Sequence, residues 1–350
     1  MTGSRSTAAC DQVPLLLLSE DDLVASGLWN RTAEITDLVG RILCSPQEGW
    51  YSKAAVAPTN EEAAEFLRIP DETRSLYEGV TFDYKLNVLT ALSRNGAGFK
   101  AIGANTLNHQ QGLPRACALY VLYDRLTARP RTIIRSTLLS ALRTAACACV
   151  VRDLCEARVV GVLGSGHIAS TLVRLWAMQD RSELQEVRIY SPHLDAEKLR
   201  AAVGPTPYPL LDAHSAREAV TGADMLVTAT TATRPVFSSS WVAPDAVQVN
   251  FGGYEAPLDF VDRCFHSGSV IVDTLEGTLH RGGQSLSLWW AGQDTPPATD
   301  RIQDFAAADR SRLDRPWHVN CVGRPDLDVA LAQWSESLAR EAGRGRTVAL

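Results

Sequence analysis

The sequence predicts an α/β protein whose clearest part is a doubly wound, mostly parallel sheet. Three observations carry that expectation. The chain has 350 residues, and at roughly 100–200 residues per domain it divides into two domains. Residues 158–163, an Arg followed by Val-Val-Gly-Val-Leu, read as a buried strand that enters Gly164-Ser165-Gly166-His167-Ile168-Ala169, with a helix over 170–179. Beyond it, strand-like runs at 187–190, 224–229, 246–250 and 269–272 alternate with helical stretches, the rhythm of βαβ units.

Composition narrows the function classes. Hydrophobic residues make up 45% and charged residues 21% of the chain, which excludes wholesale disorder. With 34 Lys+Arg against 40 Asp+Glu the net charge is -6. No net basic field exists to attract phosphates, so no nucleic-acid partner is expected. No stretch reaches the roughly 18–20 apolar residues that cross a bilayer, so no membrane partner is expected either. The N-terminus has one early Arg and a four-Leu run at 15–18, without the basic start and longer apolar core of a secretory signal. Eight cysteines include no Cys-x-x-Cys, and Cys147, Cys149 and Cys155 sit in an apolar, helix-like stretch. They read as small buried hydrophobes of a cytoplasmic protein. No His/Cys cluster has zinc spacing and no His-Glu-x-x-His occurs, so no metal site is expected.

The elements follow in order. Residues 14–18 read as a short strand, after which Ser19 caps a helix with Glu20, Asp21 and Asp22 in its first turn, favourable at the positive end of the helix dipole. Residues 34–44 continue this helical start, and a helix is expected within 60–80, ending before Pro70. Strands are expected at 98–102 and 116–123, with a turn at Tyr123-Asp124 leading to 131–134. Ser136 caps a helix over 137–154 rich in Ala and Cys. Arg143 lies in its middle, either a structural Arg paired with a carboxylate or a ligand-binding one. Residues 327–342 read as a helix, and the closing stretch 343–350 is expected to pack back on the N-terminal domain.

The glycine turn has the strand–turn–helix setting of a dinucleotide fingerprint. Gly164 makes the tight turn, Gly166 lets backbone approach a pyrophosphate, and Ala169 keeps helix and strand close, while the helix N-terminus attracts phosphates. Ligands bind at the carboxyl ends of such strands, which makes Thr228, Thr230, Gly252, Gly253, Tyr254 and Glu255 candidate pocket walls. After the second strand, where an acid ordinarily holds the ribose of NAD, stands Ser191, and Asp195 comes too late to replace it. A missing acid removes the repulsion that excludes a 2′-phosphate, but no Arg follows to clamp one, so these residues leave the choice between NAD and NADP open.

Together, Gly98-Phe99-Lys100, Gly112-Leu-Pro114-Arg115, Leu142-Arg143-Thr144-Ala-Ala146 and Gly164-Ser-Gly166 resemble the ornithine cyclodeaminase/μ-crystallin family, over nearly the whole chain. Within it, Phe99-Lys100-Ala-Ile102-Gly103-Ala, the 137–144 helix and the ending from Gly343 look most like the branch that forms 2,3-diaminopropionate. The resemblance implies a Rossmann domain at 157–316 inserted in a second α/β domain at 1–156 and 317–350 that binds substrate and dimerises. It implies a homodimer acting on a small amino-acid substrate.

By the same resemblance, Lys100 lies in the substrate pocket as a catalytic as well as a substrate-binding residue, and Arg143 binds the substrate carboxylate beside the cofactor, with Lys53 a third cation and Val322 in the closing turn. Arg115, Arg143, Thr144, Gly164, Ser165, Gly166, His167, Ile168, Ser191, Thr230, Asn250 and Cys321 are the implied cofactor contacts. The catalytic carboxylate follows Asn250 by five residues, at Glu255, with Tyr254 in the site if the count slips by one. The implied reaction removes hydride from an amino-acid Cα to give an imine. In this branch the substrate is N-(2-amino-2-carboxyethyl)-L-glutamate, and Arg115, Arg281 and Arg324 are candidates for its further carboxylates. An ornithine cyclodeaminase or ketimine reductase would use the same pocket. A non-catalytic NADPH-binding protein of the μ-crystallin kind is the alternative outside enzymes.

Overall fold

The computed structural model describes residues 14–58, 62, 66, 84–105, 108, 112–179, 183–280, 282–295, 297–306, 308 and 313–349. These form two compact units. One comprises residues 1–28, 48–140 and 328–350, the other 29–47 and 141–327. Apart from residues 62 and 66, the helix expected at 60–80 falls outside the described residues, as does Arg281.

In the first unit the described strands are β1 (Leu15–Ser19), β2 (Gly49–Val56), β3 (Lys85–Ser93), β4 (Gly96–Ala104), β5 (Ala116–Tyr123), β6 (Pro130–Arg135) and β15 (Arg346–Val348). They form one mixed sheet in the order β15-β1-β6-β5-β4-β3-β2. The β5–β6 hairpin turns as the sequence indicated: Asp124 Oδ1 accepts from the Leu126 and Thr127 amides at 3.1 and 2.8 Å, an Asx turn that replaces missing ladder bonds. The closing segment does return, β15 pairing antiparallel with β1.

Helix α1 (Glu20–Ala25) begins with a capping box between Ser19 and Asp22, which satisfies two backbone donors reciprocally. The Glu20 carboxylate accepts from the Leu138 amide at 2.8 Å and from the Ser136 hydroxyl at 3.0 Å, and Ser136 accepts from the Leu139 amide at 3.2 Å, so the helix that begins at Thr137 is capped by both Ser136 and Glu20.

The second unit holds α2 (Thr32–Leu43) and most of α3 (Thr137–Cys155), then β7 (Val159–Leu163), α4 (His167–Met178), β8 (Glu186–Tyr190), α5 (Ala196–Val203), β9 (Leu210–Asp212), α6 (Ala216–Val220), β10 (Met225–Thr228), β11 (Val247–Asn250), α7 (Leu258–Ser267), β12 (Ser269–Val272), α8 (Leu275–His280), α9 (Ser285–Ala291), β13 (Ile302–Asp304) and β14 (Trp317–Asn320). Helix α10 (Pro325–Glu341) carries the chain back to the first unit. Among the described residues every pairing in this second sheet is parallel, in the order β13-β12-β14-β11-β10-β7-β8-β9. The chain moves outward from β7 through β8 to β9 and then crosses to β10. That reversal at β7/β10 is the switch point where open α/β sheets bind ligands.

Residues of β10, β11, β12 and β14 are buried throughout, as expected of parallel strands covered on both faces. The boundary expected at 316/317 falls at the start of a strand of this sheet. Trp317–Asn320 is a strand between β11 and β12, so the parallel sheet continues past 316. The first helix of the fingerprint also starts at His167, three residues earlier than expected, directly after the second glycine.

Candidate active site

The glycine turn is built around the end of β7. Gly164 has φ +114°, and a Cβ there would sit 2.4 Å from the Ala229 carbonyl oxygen. Only glycine tolerates that backbone and that approach. Gly166 is the N-cap of α4 and offers no side-chain cap, while nothing stands within 4 Å of where its Cβ would be. The space beside Gly166 at the opening of α4 is therefore clear of neighbouring elements. Ala169 is fully buried. A tight turn, an unobstructed helix N-terminus and positive dipole fit the pyrophosphate of a dinucleotide.

At the end of β8 the Ser191 hydroxyl accepts from the His193 amide at 3.4 Å. Asp195 caps α5 through the Lys198 amide at 3.0 Å. Its carboxylate is thus tied to a helix start and not to the ribose position.

The strand ends beside this turn share one level. Leu163, Thr228, Asn250, Asn320 and Val272 are successive register partners across β7, β10, β11, β14 and β12. Directly beyond them Glu255 is 0% exposed. Its Oε1 accepts from the Thr230 amide at 2.5 Å and the Thr230 hydroxyl at 2.6 Å. Its Oε2 accepts from the Thr228 hydroxyl at 3.0 Å and the Gly252 amide at 2.7 Å. Burial pushes this carboxyl above its ordinary range, and the four donors pull back toward the anion. Tyr254 is half-buried on the same turn.

Behind Glu255 lies a polar network that the sequence reading missed. Gln248 Nε2 donates to Thr228 Oγ1 at 3.0 Å, and Gln248 Oε1 pairs with His318 Nδ1 at 2.6 Å. Asn320 Nδ2 donates to Gln284 Oε1 at 3.0 Å, and Gln284 Nε2 to the Gly252 carbonyl at 2.9 Å. The available signal was a Gln and a His inside otherwise apolar strands, Val-Gln-Val-Asn and Trp-His-Val-Asn.

A second group in the same unit surrounds Arg143. Its guanidinium lies against Gly323, where a Cβ would come within 2.7 Å of Nη1. Gly323, at φ +93°, and Val322 donate their amides to Asp273 at 2.6 and 3.0 Å. One carboxylate thus holds the turn after β14 against Arg143. Thr144, the next residue of α3, is buried. The neighbouring Cys147 thiol, then burial, push the Cys321 thiol well above its ordinary range, which suits a pocket wall and not a nucleophile. Arg324 pairs with Asp326 at 3.1 and 2.7 Å and donates to the Leu43 and Ser45 carbonyls. That set corrects its candidacy for a substrate carboxylate, because its donors are engaged within the fold.

The first unit carries the other cations. Lys53 pairs with Leu89, and Leu89 with Lys100, so both lysines project from one face of the sheet at the same level. Lys100 is no surface lysine. It is 1% exposed and sits 2.7 Å from Asp328, itself shielded from water, and 3.5 Å from the Ser140 hydroxyl. Arg115 precedes β5 and accepts the Asn105 amide at its carbonyl, 2.9 Å away. Among the described residues no group of three or more His, Cys, Asp or Glu is placed to hold a metal. No described helix is long and apolar enough to cross a membrane.

Residues 59–296 match the model of the ornithine cyclodeaminase/mu-crystallin family. The chain belongs to that family. A curated family relative, mouse ketimine reductase mu-crystallin, is 28% identical over 180 residues, 50% of this chain and 56% of the mouse protein. The chain spans less than two thirds of the length of the curated relatives it matches first. The fold is shared with Thermococcus litoralis Delta(1)-pyrroline-2-carboxylate reductase, solved with NADH and L-proline, at TM-score 0.75 and 20% identity over 95% of this chain and 100% of that one. An archaeal alanine dehydrogenase dimer with bound NAD matches at TM-score 0.73 and 18% identity over 96% of this chain and 99% of that one.

Proposed function

We propose that this family member is a nicotinamide-dependent amino-acid dehydrogenase. It oxidises and hydrolyses N-(2-amino-2-carboxyethyl)-L-glutamate to 2,3-diaminopropionate and 2-oxoglutarate, a step of siderophore or peptide natural-product formation. The observation that carries the reading is the adjacency of the glycine turn to a buried carboxylate. Thr230 holds Glu255 through two donors, while its Cγ2 lies 3.4 Å from where a Gly164 Cβ would stand.

The cofactor is NAD, with NADP as a variant, and the dinucleotide-bound structures of the Thermococcus reductase and the archaeal dehydrogenase support this choice. When bound, the nicotinamide supplies the hydride acceptor. Gly164, Ser165, Gly166, His167 and Ile168 receive the pyrophosphate, with Ser191, Thr230, Asn250, Cys321, Thr144 and Arg115 as further contacts.

The protein's own groups bind and move protons. Arg143, which can grip a carboxylate in bidentate fashion, holds the substrate with Lys53, Lys100 and the Val322 turn. Lys100 is kept in place by Asp328. An ammonium has no lone pair with which to form C=N, so the amine must be neutral before oxidation. Glu255 takes that proton and, once it has released it to solvent, activates water on the imine. Burial raises its pKa above the ordinary carboxylate range.

The resemblance also supports the division into a nucleotide-binding segment starting at 157 and a substrate-binding remainder. A homodimer is proposed through the outer face of the first sheet, where Trp50, Val56, Leu86, Leu92 and Leu119 are exposed. Among the described residues no disulfide joins the seven cysteines, in keeping with a cytoplasmic location.

Absorbance at the reduced-nicotinamide band tests the reaction, with the aminocarboxyethyl-glutamate, ornithine and cyclic ketimines offered with each cofactor. Turnover of the first with NAD is expected. Turnover of cyclic ketimines alone would favour the second reading, which the similarity to the mouse ketimine reductase supports. Binding of nicotinamide without turnover of any would favour a non-catalytic, μ-crystallin-like role.

A further inference from the structure

Glu255 poses a problem of access. It is 0% exposed, and its two oxygens already accept from four donors, about as many as a carboxylate can. A proton from outside reaches it only through one of them. Backbone amides cannot take up one proton while passing on another, which leaves the hydroxyls of Thr228 and Thr230.

The surrounding network removes Thr228. The Gly252 and Gly253 carbonyls can only accept, so Gln284 Nε2 and Asn250 Nδ2, at 2.9 and 3.3 Å, are donors. Asn250 Oδ1 is then an acceptor, and Gln248 Nε2 donates to it at 3.4 Å and to Thr228 Oγ1 at 3.0 Å. Gln248 Oε1 accepts from His318 Nδ1–H, 2.6 Å away. The hydrogen of Thr228 has acceptors only inside this buried cluster: Glu255 Oε2 at 3.0 Å, and the Val249 carbonyl and Asn250 Oδ1 at 3.4 Å each. Thr228 and Gln248 are fully buried, and among the described residues their side chains bond only to buried groups.

Thr230 differs in two respects. It is only partly buried. Its hydroxyl accepts from the Ala232 amide at 3.1 Å while donating to Glu255 Oε1 at 2.6 Å, so its second lone pair can receive an incoming proton.

We propose that the Thr230 hydroxyl is the proton port of the buried base, passing the substrate's ammonium proton to Glu255. In one concerted transfer the substrate N–H bond breaks and an O–H bond forms on Thr230. The original Thr230 O–H breaks and an O–H forms on Glu255 Oε1. No electrons change hands beyond these bonds, and the reverse transfer returns the proton to solvent. The inference rests on Glu255 being the base.

The test follows the Glu255 carboxyl band of the full chain by infrared difference spectroscopy after a rapid pH change. Its loss in Glu255→Gln assigns the band, and turnover of N-(2-amino-2-carboxyethyl)-L-glutamate with NAD is read in parallel. Thr230→Val is expected to slow equilibration roughly tenfold or more, and Thr230→Ser to restore it. Thr230→Ala supplies the same comparison if the valine variant does not fold. Equilibration as fast as in the parent, or equal slowing by Val and Ser, overturns the port. If Glu255→Gln still abolishes turnover in that case, the base reading stands. Parent-like turnover in Glu255→Gln removes both.

Discussion

The Lys100 ammonium and the Asp328 carboxylate meet at 2.7 Å, with both side chains shut off from water. Strand β4 supplies one partner and helix α10 the other, so the charge of each depends on an element 228 residues away in sequence. A buried pair of this kind costs desolvation on both sides, and removing one member strands the other. Asp328→Asn should therefore destabilise the protein by about 3–5 kcal/mol in urea unfolding. Lys100→Met combined with Asp328→Leu should recover most of that loss. A single substitution no worse than the double one would show that the pair is not desolvated as described.

The two fingerprint glycines should respond differently. Gly164→Ala meets both a positive φ and the Ala229 carbonyl, so it should lower stability as well as cofactor affinity. Gly166→Val meets open space in the protein and should unfold at the same urea concentration as the parent while losing affinity for NAD. Titration calorimetry with NAD separates the cases. Unchanged affinity in folded Gly166→Val would place the pyrophosphate elsewhere.

Arg143→Met should weaken substrate binding far more than cofactor binding, by about 2–5 kcal/mol, the cost of leaving a desolvated carboxylate without its partner. Steady-state kinetics and NAD titration on one preparation give both numbers. A Michaelis constant for the amino acid equal to the parent's would make Arg143 a support for the Gly323 turn alone.

His318 predicts acid lability. Burial pushes its pKa down to about 3 from 6.5. Between those values the unfolded chain binds a proton that the native state refuses. This contribution is therefore intact above about pH 6.5 and is lost as pH falls toward 3, at about 1.4 kcal/mol per unit for one proton. Unfolding free energies at pH 7 and pH 5 should differ less in His318→Gln than in the parent. Equal differences would mean that His318 is not held neutral.

Much of the second unit was legible because a parallel strand covered on both faces is an unbroken apolar run. Residues 269–272 and the run into Gly164 announce themselves in that way. Strand β2 could not be read, since Gly49–Val56 is exposed almost throughout and shows no alternation of polar and apolar residues. Strand β14 hid behind its polar positions, His318 and Asn320, whose partners Gln248, Asn250 and Gln284 come from distant segments. Asp328 was invisible for the same reason. In sequence it is one of two acids at the start of a helix, and only the folded chain brings it to Lys100.

The line Lys53–Leu89–Lys100 gives the first sheet a parity. Side chains alternate faces with a period of two, so one residue inserted or deleted before Lys53 within β2 carries that lysine to the opposite face, while two residues only slide it along. The same holds for Lys100 in β4, where an odd change would also remove the ammonium from Asp328. Length variation in these two strands is therefore constrained by its evenness before it is constrained by its size.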